Sequence, residues 1–239
     1  MAFCQPQVCD FNAHSGKFIS VAELIRNPLQ KALDHIRQFR LWTDEEVERS
    51  MQQHLASIDP ENVWVFGYGS LIWRPEFEFL ECRLATLHGY HRALCLWSSV
   101  NRGTPERPGL VFGLDEGGKC EGKVFRLRPD ALEQEFRALW KREMVSGAYI
   151  PTWTTCETEK GPVRALSFIM DRENHAYAKD LTFEETLQII LNASGQNGPC
   201  PEYVIETAHA LSDANIQDHA LFELADTLKK HCQKPVAPR

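Results

Sequence analysis

Residues 63–71 read Val63-Trp64-Val65-Phe66-Gly67-Tyr68-Gly69-Ser70-Leu71, a short apolar run followed at once by two glycines that flank a tyrosine. An apolar run of this length, ended by turn residues, is typical of a buried strand. The glycines permit a positive φ and a close approach of a ligand to the backbone. Successive N–H groups in such a turn form an anion-binding concavity that suits a carboxylate or a phosphate. A tight turn that only reverses the chain fits equally, so both interpretations stay open.

Three well-known glycine-containing motifs do not fit this chain. The dinucleotide fingerprint needs a third glycine at the position of Ile72. A nucleophile elbow needs one residue between its first glycine and its serine, whereas Ser70 follows a glycine directly. Residues 113–120 have the P-loop spacing, but Cys120 replaces the hydroxyl that binds magnesium, and two acidic side chains inside the loop would repel phosphate. We expect a hairpin turn at residues 116–118 instead.

The remaining sequence alternates short strand-like runs with amphipathic helices. We predict strands at residues 63–66, 84–87, 91–97, 109–114 and 123–127, and a hairpin formed by 149–158 and 163–170. We predict helices over 130–144, from Thr182 onward with Glu185 in a capping box, over 202–211 and over 218–231. Runs of strands with helices at the margins predict the α+β class, as a small mixed barrel flanked by helices.

The N-terminal region has a different, helical texture. A helix is predicted over 20–40, kinked or divided at Pro28, and Thr43 opens another helix with Glu46 at the capping-box position. The resulting division is a helical extension over 1–60, an α+β domain over 61–232 and a disordered tail over 233–239.

Composition excludes several function classes. The chain has 239 residues, 43% of them hydrophobic, with 26 basic and 33 acidic side chains and a net charge of −7. This is a globular composition, and its negative charge argues against binding nucleic acid. We see no signal peptide and no apolar run long enough for a membrane. The eight cysteines are scattered without a C-x-x-C pair, so we expect reduced thiols, a cytoplasmic protein and no metal site.

The helix predicted over 130–144 carries the most informative carboxylate. Apolar residues recur at the i, i+4 and i+7 positions of one face, and Glu143 occupies i+11 on that face. Burial and the negative end of the helix dipole would both raise its pKa, which makes it a candidate base. Fraying toward solvent or pairing with Arg142 is the alternative. We expect Asp130 to cap the helix, with Glu133 at the capping-box position.

At these residues the chain resembles a known family. The residues from 63 to 73 are similar to the opening signature of ChaC-type γ-glutamylcyclotransferases. The resemblance covers about 63–231 and continues through Asn101-Arg102-Gly103, Pro108-Gly109, Arg142-Glu143, Gly147-Ala148-Tyr149 and the segment from Asn197 to Tyr203. The helical region before residue 60 and the run from Trp140 to Met144 look like the bacterial branch of that family.

The resemblance implies a cytosolic carbon–nitrogen lyase that cleaves glutathione to 5-oxoproline and cysteinylglycine without metal or cofactor. It implies that Glu143 is the catalytic glutamate and that Val65, Phe66, Gly67, Tyr68, Gly69, Ser70 and Leu71 form the substrate loop. Tyr149 and Tyr203 would add phenol hydrogen bonds or would only pack in the core. Family members often carry His at the position of Asn101, which leaves the role of residues 101–109 unassigned between substrate contact and plain surface loop.

This chemistry needs no serine or cysteine nucleophile, because the substrate's own α-amine attacks its γ-carbonyl. Two other functions use the same residues. One is a cyclotransferase for other γ-glutamyl amino acids or γ-glutamylamines, and the other is a non-catalytic regulator that binds a γ-glutamyl group. The oligomeric state is left open by the sequence.

Overall fold

The computed structural model describes residues 39–56 and 58–232. The helix predicted over 20–40 and the tail over 233–239 lie outside the described residues, except for Phe39 and Arg40, which are not helical. The strands are β1 Trp64–Gly67, β2 Phe79–Ser98, β3 Gly109–Leu127, β4 Tyr149–Thr158, β5 Val163–Met170, β6 Ser194–Gly195 and β7 Gly198–Pro199. The α-helices are α1 Asp44–Leu55, α2 Leu132–Glu143, α3 Phe183–Asn192, α4 Cys200–Asp213 and α5 His219–Cys232.

Strands β1 to β5 close into a barrel in the order β1-β3-β2-β4-β5, with β5 returning to β1. The pairing is mixed: β1 runs antiparallel to β3 but parallel to β5, where Trp64 lies opposite Ala165. The predicted α+β class with a small mixed barrel is therefore confirmed. No helix in the described ranges is both long enough and apolar enough to cross a membrane.

Two of the barrel strands are much longer than the sequence predicted. The runs predicted at 84–87 and 91–97 belong to one continuous strand, β2, and those at 109–114 and 123–127 belong to β3. In the middle of each strand lies a run that is not buried, residues 88–94 in β2 and 116–119 in β3. The alternation of apolar and polar residues along each strand is therefore interrupted, and the sequence pattern resembles that of two short strands.

The hairpin turn predicted at residues 116–118 is wrong. Tyr90 pairs with Glu116 and His88 pairs with Lys119, so the segment stays within the β2–β3 ladder as a bulge. Both glycines of the segment have positive φ. Glycine at positive φ serves a bulge as well as it serves a turn, and the sequence pattern alone does not separate the two.

The sequence predicted the N-terminal caps of two helices correctly. The capping boxes of α1, from Thr43 to Glu46, and of α3, from Thr182 to Glu185, are both present. These motifs satisfy backbone donors locally, so they form wherever the helix forms.

The predicted cap of α2 is wrong. Residues Pro129–Ala131 form a 3-10 turn, and the helix begins at Leu132 with Ala131 at the N-cap position and no side-chain cap. The carboxylate of Asp130 instead accepts a hydrogen bond of 2.5 Å from Arg128. A charge-assisted bond to a guanidinium is stronger than a capping bond to a neutral amide, which explains the outcome.

Helix α1 packs on α2 and fixes its direction. Trp140 of α2 is fully buried and donates from Nε1 to Ser50 Oγ at 3.1 Å, and Arg137 of α2 pairs with Glu48. Met51 of α1 is fully buried against the same cluster. The described part of the N-terminal region therefore supports the helix whose last residue is Glu143.

Candidate active site

A cleft of about 360 Å³ opens where the turn after β1 meets the C-terminal end of α2. Its walls include the residues on which the following description depends: Tyr68, Gly69, Ser70, Leu71, Arg74, Glu76, Arg102, Arg142, Glu143, Tyr149 and Tyr203. A concave site with a few convergent polar groups is the usual form of a small-molecule site.

Glu143 is the last residue of α2, and its side chain is only 15% exposed. Burial raises the pKa of this carboxyl group, and the nearby charge of Glu76 raises it further, while Arg142 acts against both. The Arg142 Nε atom lies 3.2 Å from Glu143 Oε1. The carboxylate is thus both turned inward and paired with its neighbour, so the two interpretations of the sequence are not exclusive.

Arg142 ties the end of α2 to the turn after β1. Its Nη2 donates to Ser70 Oγ at 2.8 Å, and its Nη1 donates to the Arg74 carbonyl at 2.6 Å and to Glu76 Oε2 at 2.9 Å. From the sequence it was interpreted only as a charge partner of Glu143. Its position in a signature shared with the family was the only signal of this second role.

The glycines of the turn are required by close packing. Neither Gly67 nor Gly69 has positive φ, contrary to one expectation from the sequence. A Cβ on Gly67 would lie 3.0 Å from Leu71 Cβ, and a Cβ on Gly69 would lie 3.3 Å from the Tyr203 hydroxyl oxygen. Any larger residue at these positions would push the turn away from the cleft wall.

The structure divides the predicted substrate loop into two parts. Tyr68, Gly69, Ser70 and Leu71 line the cleft. Val65 and Phe66 are fully buried in β1, and with Gly67 they are not among the lining residues. Strand β1 thus serves as the fixed base from which the turn projects.

Three buried phenols line the cleft. Tyr68 donates to the Phe168 carbonyl at 3.0 Å and Tyr149 donates to the Phe112 carbonyl at 2.9 Å. The Tyr203 hydroxyl accepts from the Phe112 N–H at 3.1 Å, so its own proton takes no part in that bond. Burial raises the pKa of all three phenols, which keeps them neutral hydrogen-bonding groups.

The loop after β2 also reaches the cleft. Asn101 and Arg102 line it, and Asn101 Oδ1 accepts from Asn197 Nδ2 at 3.2 Å. The sequence is compatible with either a substrate-contacting loop or a plain surface loop at these residues. The position of the loop in the cleft wall favours a substrate contact. Within the ranges that the structure describes, no cluster of three or more His, Cys, Asp or Glu side chains is arranged to hold a metal ion.

Residues 63–231 match a family model described as ChaC-like protein. The chain is 38% identical over 209 residues to the glutathione-specific gamma-glutamylcyclotransferase of Escherichia coli (strain K12), covering 87% of this chain and 90% of that protein. It is 29% identical over 177 residues to glutathione-specific gamma-glutamylcyclotransferase 1 of Homo sapiens, covering 71% of this chain and 80% of that protein.

The fold has relatives among solved structures. The crystal structure of a yeast gamma-glutamyl cyclotransferase specific to glutathione superposes with a TM-score of 0.64 at 23% identity, covering 71% of this chain and 96% of that chain. At this identity the superposition shows a shared fold. Together with the family match over residues 63–231, which is most of the chain, it leads to one conclusion. The chain belongs to the ChaC-like family.

Proposed function

We propose that the protein is a γ-glutamylcyclotransferase that cleaves glutathione to 5-oxoproline and cysteinylglycine. The observation that carries the proposal is Glu143, a carboxylate of raised pKa that lines the cleft beside the turn at residues 68–71. The names of the E. coli and human relatives support glutathione as the substrate. The described cysteines are free, which supports action in a reducing compartment such as the cytoplasm.

The reaction is an intramolecular acyl transfer. The α-amine of the γ-glutamyl group attacks its γ-carbonyl carbon and forms the new C–N bond of a five-membered lactam. The amide bond to the cysteinyl nitrogen then breaks, and that nitrogen leaves as an amine after accepting a proton. Well-aligned intramolecular reactions reach effective molarities of roughly 10⁵ M or more, so holding the glutamyl chain folded supplies much of the acceleration.

Glu143 supplies the proton transfers. The α-amine of the substrate is an ammonium group near neutral pH and attacks only after losing a proton. Glu143 takes that proton and returns it to the leaving cysteinyl nitrogen, so one carboxyl group acts first as base and then as acid. The attacking nitrogen loses a second proton as it becomes the lactam N–H, and the released amine takes up that proton and leaves as an ammonium group. A raised pKa suits both steps because the proton is then neither released too readily nor held too firmly.

The turn at residues 68–71 supplies the donors. The first N–H groups of a helical turn have no partner within that turn, and here they belong to a turn that lines the cleft. In the proposed complex they bind either the α-carboxylate of the substrate or the oxyanion that develops on the γ-carbonyl oxygen. The free hydroxyl proton of Tyr203 is a further donor at the same end.

The test is incubation of the protein with glutathione and detection of 5-oxoproline and cysteinylglycine. Glu143→Gln keeps the shape of the side chain and removes the base, so we expect turnover to fall by about 10²- to 10⁴-fold with glutathione binding retained. The matched control is Glu135→Gln, because Glu135 is also a buried carboxylate of α2 but does not line the cleft.

Near wild-type product formation by Glu143→Gln would refute the assignment of the base. Turnover of γ-glutamyl-alanine at a rate comparable with glutathione would favour the broader cyclotransferase. Tight binding of glutathione without any product would favour a non-catalytic binding protein.

A further inference from the structure

Arg102 is a buried cation at the cleft without an anionic partner. The residue is 8% exposed and lines the cleft. Its Nη1 donates to the Pro199 carbonyl at 3.2 Å, and its guanidinium carbon lies 5.4 Å from the centroid of the Tyr203 ring. Within the described part of the chain it forms no ion pair with a carboxylate.

Such burial is costly unless a ligand compensates for it. A guanidinium does not lose its proton in proteins, so the charge stays even where water is excluded. Burial lowers the pKa of Arg102, and the more distant carboxylate of Glu202 compensates only in part. Buried charges in folded proteins are ordinarily paired, and an unpaired one facing a cleft indicates an anionic ligand.

Tyr203 contacts both Arg102 and the turn that lines the cleft. Its hydroxyl oxygen lies 3.3 Å from the position of a Cβ on Gly69, whereas Arg102 lies over its ring. Four cations line the cleft: Arg74 and Arg142 pair with Glu76, Lys141 is exposed, and Arg102 is the buried one that lies over the ring of Tyr203.

A γ-glutamyl tripeptide carries two carboxylates, one at each end of the molecule. The α-carboxylate shares a carbon with the attacking amine, so it must bind beside Glu143. The other carboxylate ends the leaving dipeptide, and an extended chain of two residues reaches at most about 7 Å from the scissile nitrogen. In the proposed complex the leaving dipeptide extends from the base along the Tyr203 ring, which brings its carboxylate to Arg102.

We propose that Arg102 binds the terminal carboxylate of the leaving dipeptide and thereby selects γ-glutamyl tripeptides that end in a free carboxylate. The inference rests on the proposed function and deepens it, because it concerns which peptides enter the same cleft. The planar guanidinium fits a carboxylate with two parallel hydrogen bonds. Pro199 and Tyr203 hold the guanidinium at the wall before the substrate arrives.

The first test needs only the unmodified protein. Steady-state kinetics are compared for glutathione, for glutathione with its glycine carboxylate converted to an amide, and for γ-glutamylcysteine, which ends one residue earlier. A hydrogen-bonded charge pair of this kind corresponds to about a 10- to 100-fold change in an equilibrium constant, so we expect KM to rise by that factor for both analogues. The kcat values should change little, because the reacting atoms are the same. Equal KM values for glutathione and its amide would overturn the proposal.

The second test uses variants at position 102. Arg102→Met should raise KM for glutathione by a similar factor and should abolish the preference for glutathione over its amide. Arg102→Lys keeps the charge on a different geometry and should restore part of that preference. The control is Arg164→Met, which removes an exposed arginine that lies over the Trp153 ring, outside the cleft.

A purely structural role for Arg102 would give a different pattern. In that case Arg102→Met would weaken turnover of glutathione and of its amide by equal factors and would leave the preference intact, which contradicts the proposal. Failure of the proposed function has its own signature, because then the unmodified protein would turn over none of the three peptides.

Discussion

Arg92 and Asp218 form a buried ion pair, 2.5 Å from Nη1 to Oδ2, that fastens the turn of the cleft to the start of α5. The Nε of the same guanidinium donates to the Tyr68 carbonyl at 2.5 Å. Asp218 Oδ1 meanwhile accepts from the Leu221 N–H at 3.1 Å, so this carboxylate also caps α5. One arginine therefore links the residue that opens the turn to a helix about 150 residues further along the chain.

We predict that this pair contributes strongly to stability. Arg92 is 5% exposed, and Arg92→Met leaves the Asp218 carboxylate partly buried and unpaired, so the free energy of unfolding should fall by about 3–5 kcal/mol. Asp218→Asn keeps an acceptor for the Leu221 N–H but leaves the more deeply buried Arg92 guanidinium without its carboxylate, so we expect a loss of similar size. Urea unfolding measures both, with Lys229→Met as a control that breaks an exposed pair of the same helix. Similar losses for Arg92→Met and the control would contradict the prediction.

The pH dependence of catalysis should reflect the raised pKa of Glu143. A base acts only when it is ionised, so kcat/KM for glutathione should increase with pH through the pKa of Glu143. Because burial raises that pKa, the midpoint should lie above the ordinary value of a glutamate side chain. A pH–rate profile measures it. A midpoint at or below the ordinary glutamate value would contradict the assignment.

The same carboxyl group should reduce stability at neutral pH. Both states are protonated in acid, and as pH rises past the unfolded-state pKa the unfolded chain releases its proton first. Stability therefore falls between the unfolded and folded pKa values of Glu143, and the loss is complete above the folded value. Glu143→Gln lacks this effect. The free energy of unfolding of the variant should therefore increase relative to that of the wild type as pH rises through this window. Chemical unfolding at a series of pH values measures the difference, which would stay constant if the carboxyl group were freely solvated.

The effect of Asp115 on the pH dependence of stability should be opposite to that of Glu143. Burial alone would raise its pKa, but hydrogen bonds from Arg172, Tyr177 and the Glu116 N–H outweigh that effect and lower it. Its stabilisation is present above the unfolded-state pKa and is lost as pH falls through the folded value. Asp115→Asn should cost about 1–3 kcal/mol at neutral pH, with no further loss from this position in acid. Tyr177→Phe, which removes one bond, should cost about 1 kcal/mol.

Gly147 should tolerate no side chain. Its φ is +63°, and a Cβ there would lie 1.9 Å from Trp42 Nε1. Gly147→Ala should therefore both strain the backbone and displace Trp42, whose backbone N–H donates to the Val145 carbonyl at 2.9 Å. Gly161→Ala is the matched control, because its φ is +99° with no atom within 4 Å of the new Cβ. Thermal unfolding and tryptophan fluorescence should change more for Gly147→Ala, and equal changes would contradict the clash.

Local chemistry explains what the sequence predicted well. The capping boxes at Thr43 and Thr182 and the hairpin of β4 and β5 depend on residues within a few positions of each other. The inward position of Glu143 follows from helical periodicity alone. The barrel followed from the order of strands and helices, although the lengths of β2 and β3 did not, because glycines at a bulge resemble those of a turn.

Contacts between distant segments were not predictable in this way. Arg142 meets Ser70 across 72 positions of the chain, and Arg92 meets Asp218 across 126. Each arginine alone resembles any surface cation, and only the closed barrel brings its partners together. The same holds for Arg102, because burial without an anionic partner is a property of the folded chain and leaves no pattern in the sequence.

Four cysteines, Cys95, Cys120, Cys156 and Cys200, are buried within the described structure. Burial raises the pKa of Cys95 to about 12 and that of each of the other three to about 11. Disulfide exchange proceeds through the thiolate. These four thiols react slowly for two reasons, because they are inaccessible and because they are not ionised near neutral pH. A mixed disulfide with glutathione forms by exchange between a protein thiolate and oxidised glutathione, and the four buried thiols are shielded from that exchange. The fold thereby shields four of the six described cysteines from the oxidised form of the compound that the protein is proposed to consume, whereas Cys82 and Cys232 are exposed.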